Sequence, residues 1–81
     1  MHKFELKEAD IDVDASGLNC PMPLLKAKQM LNKMELGSQL LVKATDAGSV
    51  RDFKSFTELS SNQLLGYFEE DGCFFYLIRK G

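Results

Sequence analysis

Cys20-Pro21-Met22-Pro23 sets one thiol between an alternating segment and an amphipathic one, and a thiol so placed suits nucleophilic sulfur chemistry. Proline is accepted in the first helical turn, because its missing N–H had no intrahelical acceptor and its φ is already helical. Pro23 therefore marks the start of a helix, with Pro21 in the turn before it. A residue preceding proline is pushed out of the α region, so Asn19-Cys20 and Met22 are expected to be extended or turn-like, with Cys20 on the lip of the helix. There its Sγ can meet another protein's sulfur. The positive end of the helix dipole favours the thiolate, the nucleophilic form. Pro21 and Pro23 remove backbone donors that would otherwise face the sulfur, so a moderate effect on acidity is expected and accessibility dominates. Gly17 reads as a positive-φ turn that aims the thiol.

Few other residues compete for a chemical role. The two cysteines, Cys20 and Cys73, form neither a C-x-x-C pair nor a disulfide framework, and the single histidine, His2, cannot complete a zinc set. No metal and no cofactor is expected. Cys73 sits beside a turn with Glu69, Glu70 and Asp71, whose charges oppose a thiolate, and reads as a semi-buried structural thiol. Asp14 and Asp46 could form an acidic pair near Cys20, but strand-end and turn aspartates usually satisfy local backbone donors, so both are given structural roles.

The elements that must position Cys20 follow from periodicity. Ile11 to Asp14 alternates as a half-buried strand, closed by Gly17. Leu24, Ala27, Leu31 and Met34 recur at helical spacing, giving a helix from Pro23 to Leu36 with Gly37 as its C-cap. A second strand runs through Leu40, Val42 and Ala44. Ser49 or Asp46 is placed to cap a second helix, whose inner side carries Val50, Phe53, Phe56, Thr57 and Ser60. Gln63 to Glu69 and Phe74 to Lys80 read as strands joined by an Asp71-Gly72 hairpin turn. The order β-α-β-α-β-β predicts an α/β (α+β) two-layer sandwich, a four-stranded mixed sheet with both helices on one face and the other face open to solvent.

Composition narrows the function. The 81 residues suit one small domain spanning 1–81, with little room for an enclosed substrate cavity, so a carrier or binding module fits better than a self-contained enzyme. A net charge of −2 with only short apolar runs gives neither a polyanion footprint nor a membrane span. The acidic start, with Glu5, Glu8, Asp10, Asp12 and Asp14, lacks a signal-peptide pattern, which points to the cytoplasm, where reducing conditions keep Cys20 free.

The run Asp14-Ala15-Ser16-Gly17-Leu18-Asn19-Cys20-Pro21-Met22-Pro23-Leu24 resembles the signature of the TusA family of sulfur carriers, whose hallmark is Cys-Pro-x-Pro opening the first helix. The resemblance extends from about Ile11 to the end, through Thr45-Asp46, Arg51-Asp52 and Tyr76-Leu77-Ile78-Arg79-Lys80-Gly81. It implies a persulfide carried on Cys20, loaded by a sulfur donor such as a cysteine desulfurase or a rhodanese-like protein. The sulfur would pass to an acceptor protein in tRNA thiolation, cofactor synthesis or sulfur metabolism. Such a carrier acts as a sulfurtransferase together with partner enzymes. Asn19 stands where several tRNA-thiolation members carry a basic residue, and Ala47 where a proline is often found.

The relay chemistry asks for one reachable thiol and a docking surface. Met22, Leu25, Lys26, Gln29 and Lys33 project away from the Leu24–Leu31 stripe and form the expected docking patch, two apolar side chains and two cations at the helix mouth. Methionine and leucine suit an adaptable contact, and lysines steer toward acidic surfaces. Rival readings are a non-catalytic regulator and a nucleic-acid-binding module, since the sandwich also resembles the C-terminal domain of translation initiation factor three. The acidic balance argues against direct nucleic-acid binding.

Overall fold

Alternation, helical spacing and turn chemistry give six elements in a computed structural model that describes residues 9–81. They are β1 (Ile11–Ala15), α1 (Met22–Lys33), β2 (Gln39–Ala44), α2 (Ser49–Leu59), β3 (Gln63–Glu70) and β4 (Cys73–Arg79). His2, Glu5 and Glu8 lie outside the described residues. The sheet order is β1-β2-β4-β3, with β1 parallel to β2 and the other pairs antiparallel, the mixed four-stranded sheet expected.

Both helices bury their apolar stripes on one face of this sheet. Ala27, Leu31 and Met34 of the α1 segment and Phe53 of α2 join Leu40, Val42, Ala44, Tyr76 and Ile78 in a single core. Phe53 stacks on Tyr76 with ring centroids 4.3 Å apart. A fully buried side chain of this size contributes about 1.5–3 kcal/mol through burial alone.

The first helix starts and ends earlier than the pattern predicted. Pro21 is its N-cap and Pro23, fully buried, its second residue, while Met34 has already turned extended (φ −90°, ψ 155°). Gly37 does not cap the helix. Its φ of +87° serves a turn into β2, where its N–H donates to Lys80 O at 2.8 Å. The carbonyl of Leu31 in the last helical turn accepts from the N–H of the C-cap residue Met34 at 3.1 Å and also from Lys80 Nζ at 2.7 Å, so a distant side chain reinforces the closure that Met34 makes.

The other sheet face departs from expectation as well. Leu41, Phe68 and Leu77 there are only 7, 5 and 3% exposed, and Phe68 stacks on Phe75 at 4.9 Å. Register explains this: Leu41 lies opposite Leu77, and Phe68 opposite Phe75, so the apolar side chains of that face are neighbours. Asp71 (φ 52°) and Gly72 (φ 77°) form the hairpin turn, both left-handed as a primed turn requires. A bulge between Leu64 and Gly66 turns Leu65 outward, 46% exposed. Among the described residues no helix is long and apolar enough to cross a membrane.

Candidate functional site

Because β1 and β2 are parallel neighbours, the turns that leave them lie side by side, and Cys20 sits where they meet. The turn after β1 is held first by its own residues: Ser16 N–H donates to Asp14 Oδ1 at 3.0 Å, and Gly17 adopts φ +79° as expected. Hydrogen bonding from Ser16, first through its side chain and then through this N–H, followed by the charges of Lys43 and Lys26, holds the Asp14 carboxyl below its ordinary value. The turn is then tied across the sheet. Gly17 N–H donates to Thr45 Oγ1 at 2.9 Å, and Cys20 N–H to Asp46 Oδ2 at 3.2 Å. Asp14 thus has the local structural role given to it, whereas Asp46 reaches 26 positions back to the thiol-bearing residue itself.

The second helix closes over the thiol from the other side. Neither Ser49 nor Asp46 caps it: the N-cap is Gly48, with no side-chain hydrogen bond. Asp46 is engaged with Cys20, and Ser49 is buried with its Oγ 2.6 Å from Tyr76 Oη. Gly48 permits the close approach. A Cβ there would stand 3.5 Å from Cys20 Cβ, 3.8 Å from its Sγ and 3.0 Å from Asp46 Oδ2. Three residues after Ser49, Asp52 accepts a hydrogen bond from Cys20 Sγ on its Oδ2.

Those carboxylates reverse the expected acidity of the thiol. The hydrogen bond to Asp52 raises the Cys20 pKa above its ordinary value. Desolvation and the charges of Asp52 and Asp46 act in the same direction, and only Arg51 opposes them. The dipole of α1 alone favours the thiolate; in the fold α2 brings negative charge to the same sulfur. Tyr76, beneath α2, is pushed up to about 12, chiefly by burial.

Cys20 is exposed, with Pro21 exposed beside it across a cis peptide bond. Met22 and Leu25 are 45% and 41% exposed, and Lys26, Gln29 and Lys33 are also exposed. Met22, Leu25 and Lys26 surround the helix mouth. Lys33 does not: eleven residues on from Met22, it lies about 16 Å along the axis, at the far end of α1. It lines a 240 Å³ groove with Lys26, Gln29, Met30, Val13 and Asp14. A second groove, of 380 Å³, separates the helices and is lined by Leu24, Lys28, Asp52 and Phe56 among others, so Asp52 joins it to the thiol. Cys73 is half-buried in the hairpin and lies opposite Glu70 in register. Among the described residues no group of three or more His, Cys, Asp or Glu could hold a metal ion.

Asp52 and Gly48 were not singled out from the sequence as site residues. The available signal was the Arg51-Asp52 pair in the first turn of a helix, and it pointed to the thiol only once the two helix N-termini were known to converge. What the arrangement can do is present one sulfur at the surface, its amide and thiol both held by carboxylates from across the sheet.

Residues 11–80 match the family model described as sulfurtransferase TusA. A sulfur carrier protein TusA of Allochromatium vinosum is 49% identical over 75 residues, covering 93% of this chain and 99% of the relative. A sulfur carrier protein TusA of Pseudomonas entomophila is 39% identical over 71 residues, covering 88% of this chain and 89% of the relative. The crystal structure of a SirA-like protein from Desulfitobacterium hafniense superposes with a TM-score of 0.78 at 30% identity, covering 88% of this chain and 97% of that one.

Proposed function

The chain belongs to the TusA family, and from that premise we propose that it is a sulfur carrier in a sulfur relay, with Cys20 as the residue that holds the transferred sulfur as a persulfide. The observation that carries this assignment is the placement of Cys20: an exposed thiol at the mouth of α1, its backbone N–H fixed by Asp46 and its Sγ by Asp52. In loading, Cys20 Sγ bonds to the terminal sulfur of a donor persulfide and that donor's S–S bond breaks, so a Cys20 thiol and a donor persulfide become a Cys20 persulfide and a donor thiol. In delivery an acceptor thiol takes the same terminal sulfur and Cys20 returns to the thiol. No net oxidation occurs, and only sulfur changes hands.

A carrier role entails contact with a donor protein and an acceptor protein. The donor class proposed is a cysteine desulfurase or a rhodanese-like protein, docking on Met22, Leu25 and Lys26, with Lys33 extending the patch along α1. Residues 1–81 work as a single sulfur-carrier domain. The cytoplasm suits the chemistry, since a reducing compartment keeps Cys20 out of disulfides.

Incubating the reduced protein with a cysteine desulfurase and cysteine, followed by intact-mass and peptide mass spectrometry, tests the assignment. A reductant-labile gain of one sulfur on Cys20, absent from Cys20→Ser, is expected. No gain with that donor, nor with a rhodanese and thiosulfate, removes Cys20 from the relay.

A further inference from the structure

The reading of Cys20 as the carrier leaves one contact without a purpose: its Sγ donates to Asp52 Oδ2, a carboxylate brought from a separate helix. A nucleophilic thiol is ordinarily placed beside a cation or a neutral base, which favours the thiolate. Here the neighbour is an anion, so the contact favours the thiol.

We propose that Asp52 holds the proton of the unloaded Cys20, keeping the empty carrier as a thiol and confining negative charge to the outer sulfur of the loaded one. This rests on Cys20 being the persulfide site. The geometry separates the two states. In the empty carrier Sγ is the titrating atom and lies against Oδ2. In the loaded carrier Sγ bears no proton, and the ionisable sulfur stands one S–S bond, about 2.05 Å, further out. The carboxylate therefore opposes charge on Sγ more than on the terminal sulfur. In the delivery step a Cys20 persulfide anion and an acceptor thiol give a Cys20 thiol and an acceptor persulfide anion. The acceptor's proton ends on Sγ, where Asp52 accepts its hydrogen bond. Loading runs the same balance backwards, with the Cys20 proton passing to the donor's departing sulfur.

The rest of the surroundings agree. The charged groups acting on Sγ are Asp52 and Arg51 from α2 and Asp46 from the β2–α2 turn, and their combined effect, led by the Asp52 hydrogen bond, raises the thiol. Asp52 is not free to swing away with its turn. Three residues earlier Ser49 is buried with its Oγ against the Tyr76 hydroxyl, and Phe53, the next residue, is fully buried on the Tyr76 ring. The carboxylate is thus carried on the most firmly anchored turn of the helix. An empty carrier kept as the thiol reacts slowly with adventitious oxidants and electrophiles, which attack the thiolate.

The test is the pH dependence of Cys20 alkylation by iodoacetamide in the full chain, with Cys73→Ser as background, from about pH 6 to about pH 10. Asp52→Asn is expected to move the midpoint to lower pH and to raise the rate at neutral pH about twofold or more. The gain is smaller than the rise in thiolate, because a less basic thiolate is intrinsically slower. Asp46→Asn shifts the midpoint the same way by less, and Asp52→Glu, which keeps the charge, stays nearer the parent. An unchanged or higher midpoint in Asp52→Asn, or a shift in Asp46→Asn as large as in Asp52→Asn, overturns the proposal. Circular dichroism confirms that each variant is folded; should Asp52→Asn not fold, Asp52→Ser removes the same charge and carries the same test. Alkylation needs no sulfur donor. An unchanged midpoint in Asp52→Asn therefore discards the role of Asp52 alone, whereas failure of persulfide loading discards the carrier reading and leaves the profile standing.

Discussion

The two cysteines occupy regions built on opposite plans. Cys73 opens β4 immediately after the Asp71-Gly72 turn, in a hairpin with strong local instructions: two left-handed residues, an in-register aromatic pair at Phe68 and Phe75, and a bulge at Leu65. Cys20 sits in a loop whose own hydrogen bonds are few, and its surroundings are supplied from 26 and 32 positions away, by Asp46 and Asp52. The hairpin is specified by neighbours in sequence and carries stability. The Cys20 loop is specified by neighbours in space, and that is what allows a thiol to be both exposed and held in one electrostatic setting.

The sharpest way to break that contrast is to exchange the fates of the two sulfurs. Cys20→Ser should abolish persulfide loading, while Cys73→Ser should load to the same extent as the parent, both read by intact mass; loading carried by Cys73 would erase the distinction. Next in size is the docking patch. Leu25→Glu combined with Lys26→Glu should slow transfer from a purified donor by roughly an order of magnitude, because a charge-reversed rim lowers the rate of productive encounter. Its melting temperature should not change, since both side chains are exposed.

A smaller effect comes from a side chain that links the regions. Tyr76 belongs to β4 of the hairpin, yet its hydroxyl meets Ser49 in the first turn of α2. Tyr76→Phe leaves a buried Ser49 hydroxyl unpaired and should cost about 1–3 kcal/mol in chemical denaturation. It should also remove a pH dependence. With a folded pKa of about 12 against an ordinary value of 10, Tyr76 contributes stability that is complete below pH 10 and is lost as the pH rises through 12. The parent should therefore lose stability across that alkaline window more steeply than Tyr76→Phe; parallel curves would contradict the burial. The smallest change is Gly72→Ala. Nothing lies within 4 Å of the added Cβ, so only the backbone penalty at φ 77° remains, about 1 kcal/mol, with Cys20 loading untouched.

The same contrast explains what the sequence made legible. Element order, the hairpin turn, the inner face of α2 and the exposed lip position of Cys20 rest on spacing within a few residues, and all are found. The C-terminal end of α1 falls short of the expected position because Gly37 looks like a cap in one dimension, while Met34 N–H and Lys80 Nζ both close on the Leu31 carbonyl and the Gly37 N–H donates to Lys80 O. The inner and outer sheet faces were separated by alternation, but the near-complete burial of Leu41, Phe68 and Leu77 depends on strand register, which alternation does not give. In the sequence Asp46 reads as a partner of local backbone, and Asp52 belongs only to a family pattern. Neither assignment could be made until parallel pairing of β1 and β2 had set the two turns together, and the sign of the Cys20 shift changed with them.

The Cys20 amide bonded to Asp46 turns this arrangement into a clock for assembly. Its hydrogen exchanges slowly only while the first turn and the second stay docked, so exchange at this single site reads the opening of one half of the fold from the other. On a chain still being synthesised, the thiol emerges before residue 46 and well before residue 52. It begins life as an ordinary cysteine and acquires its folded character only when the later half of the molecule arrives.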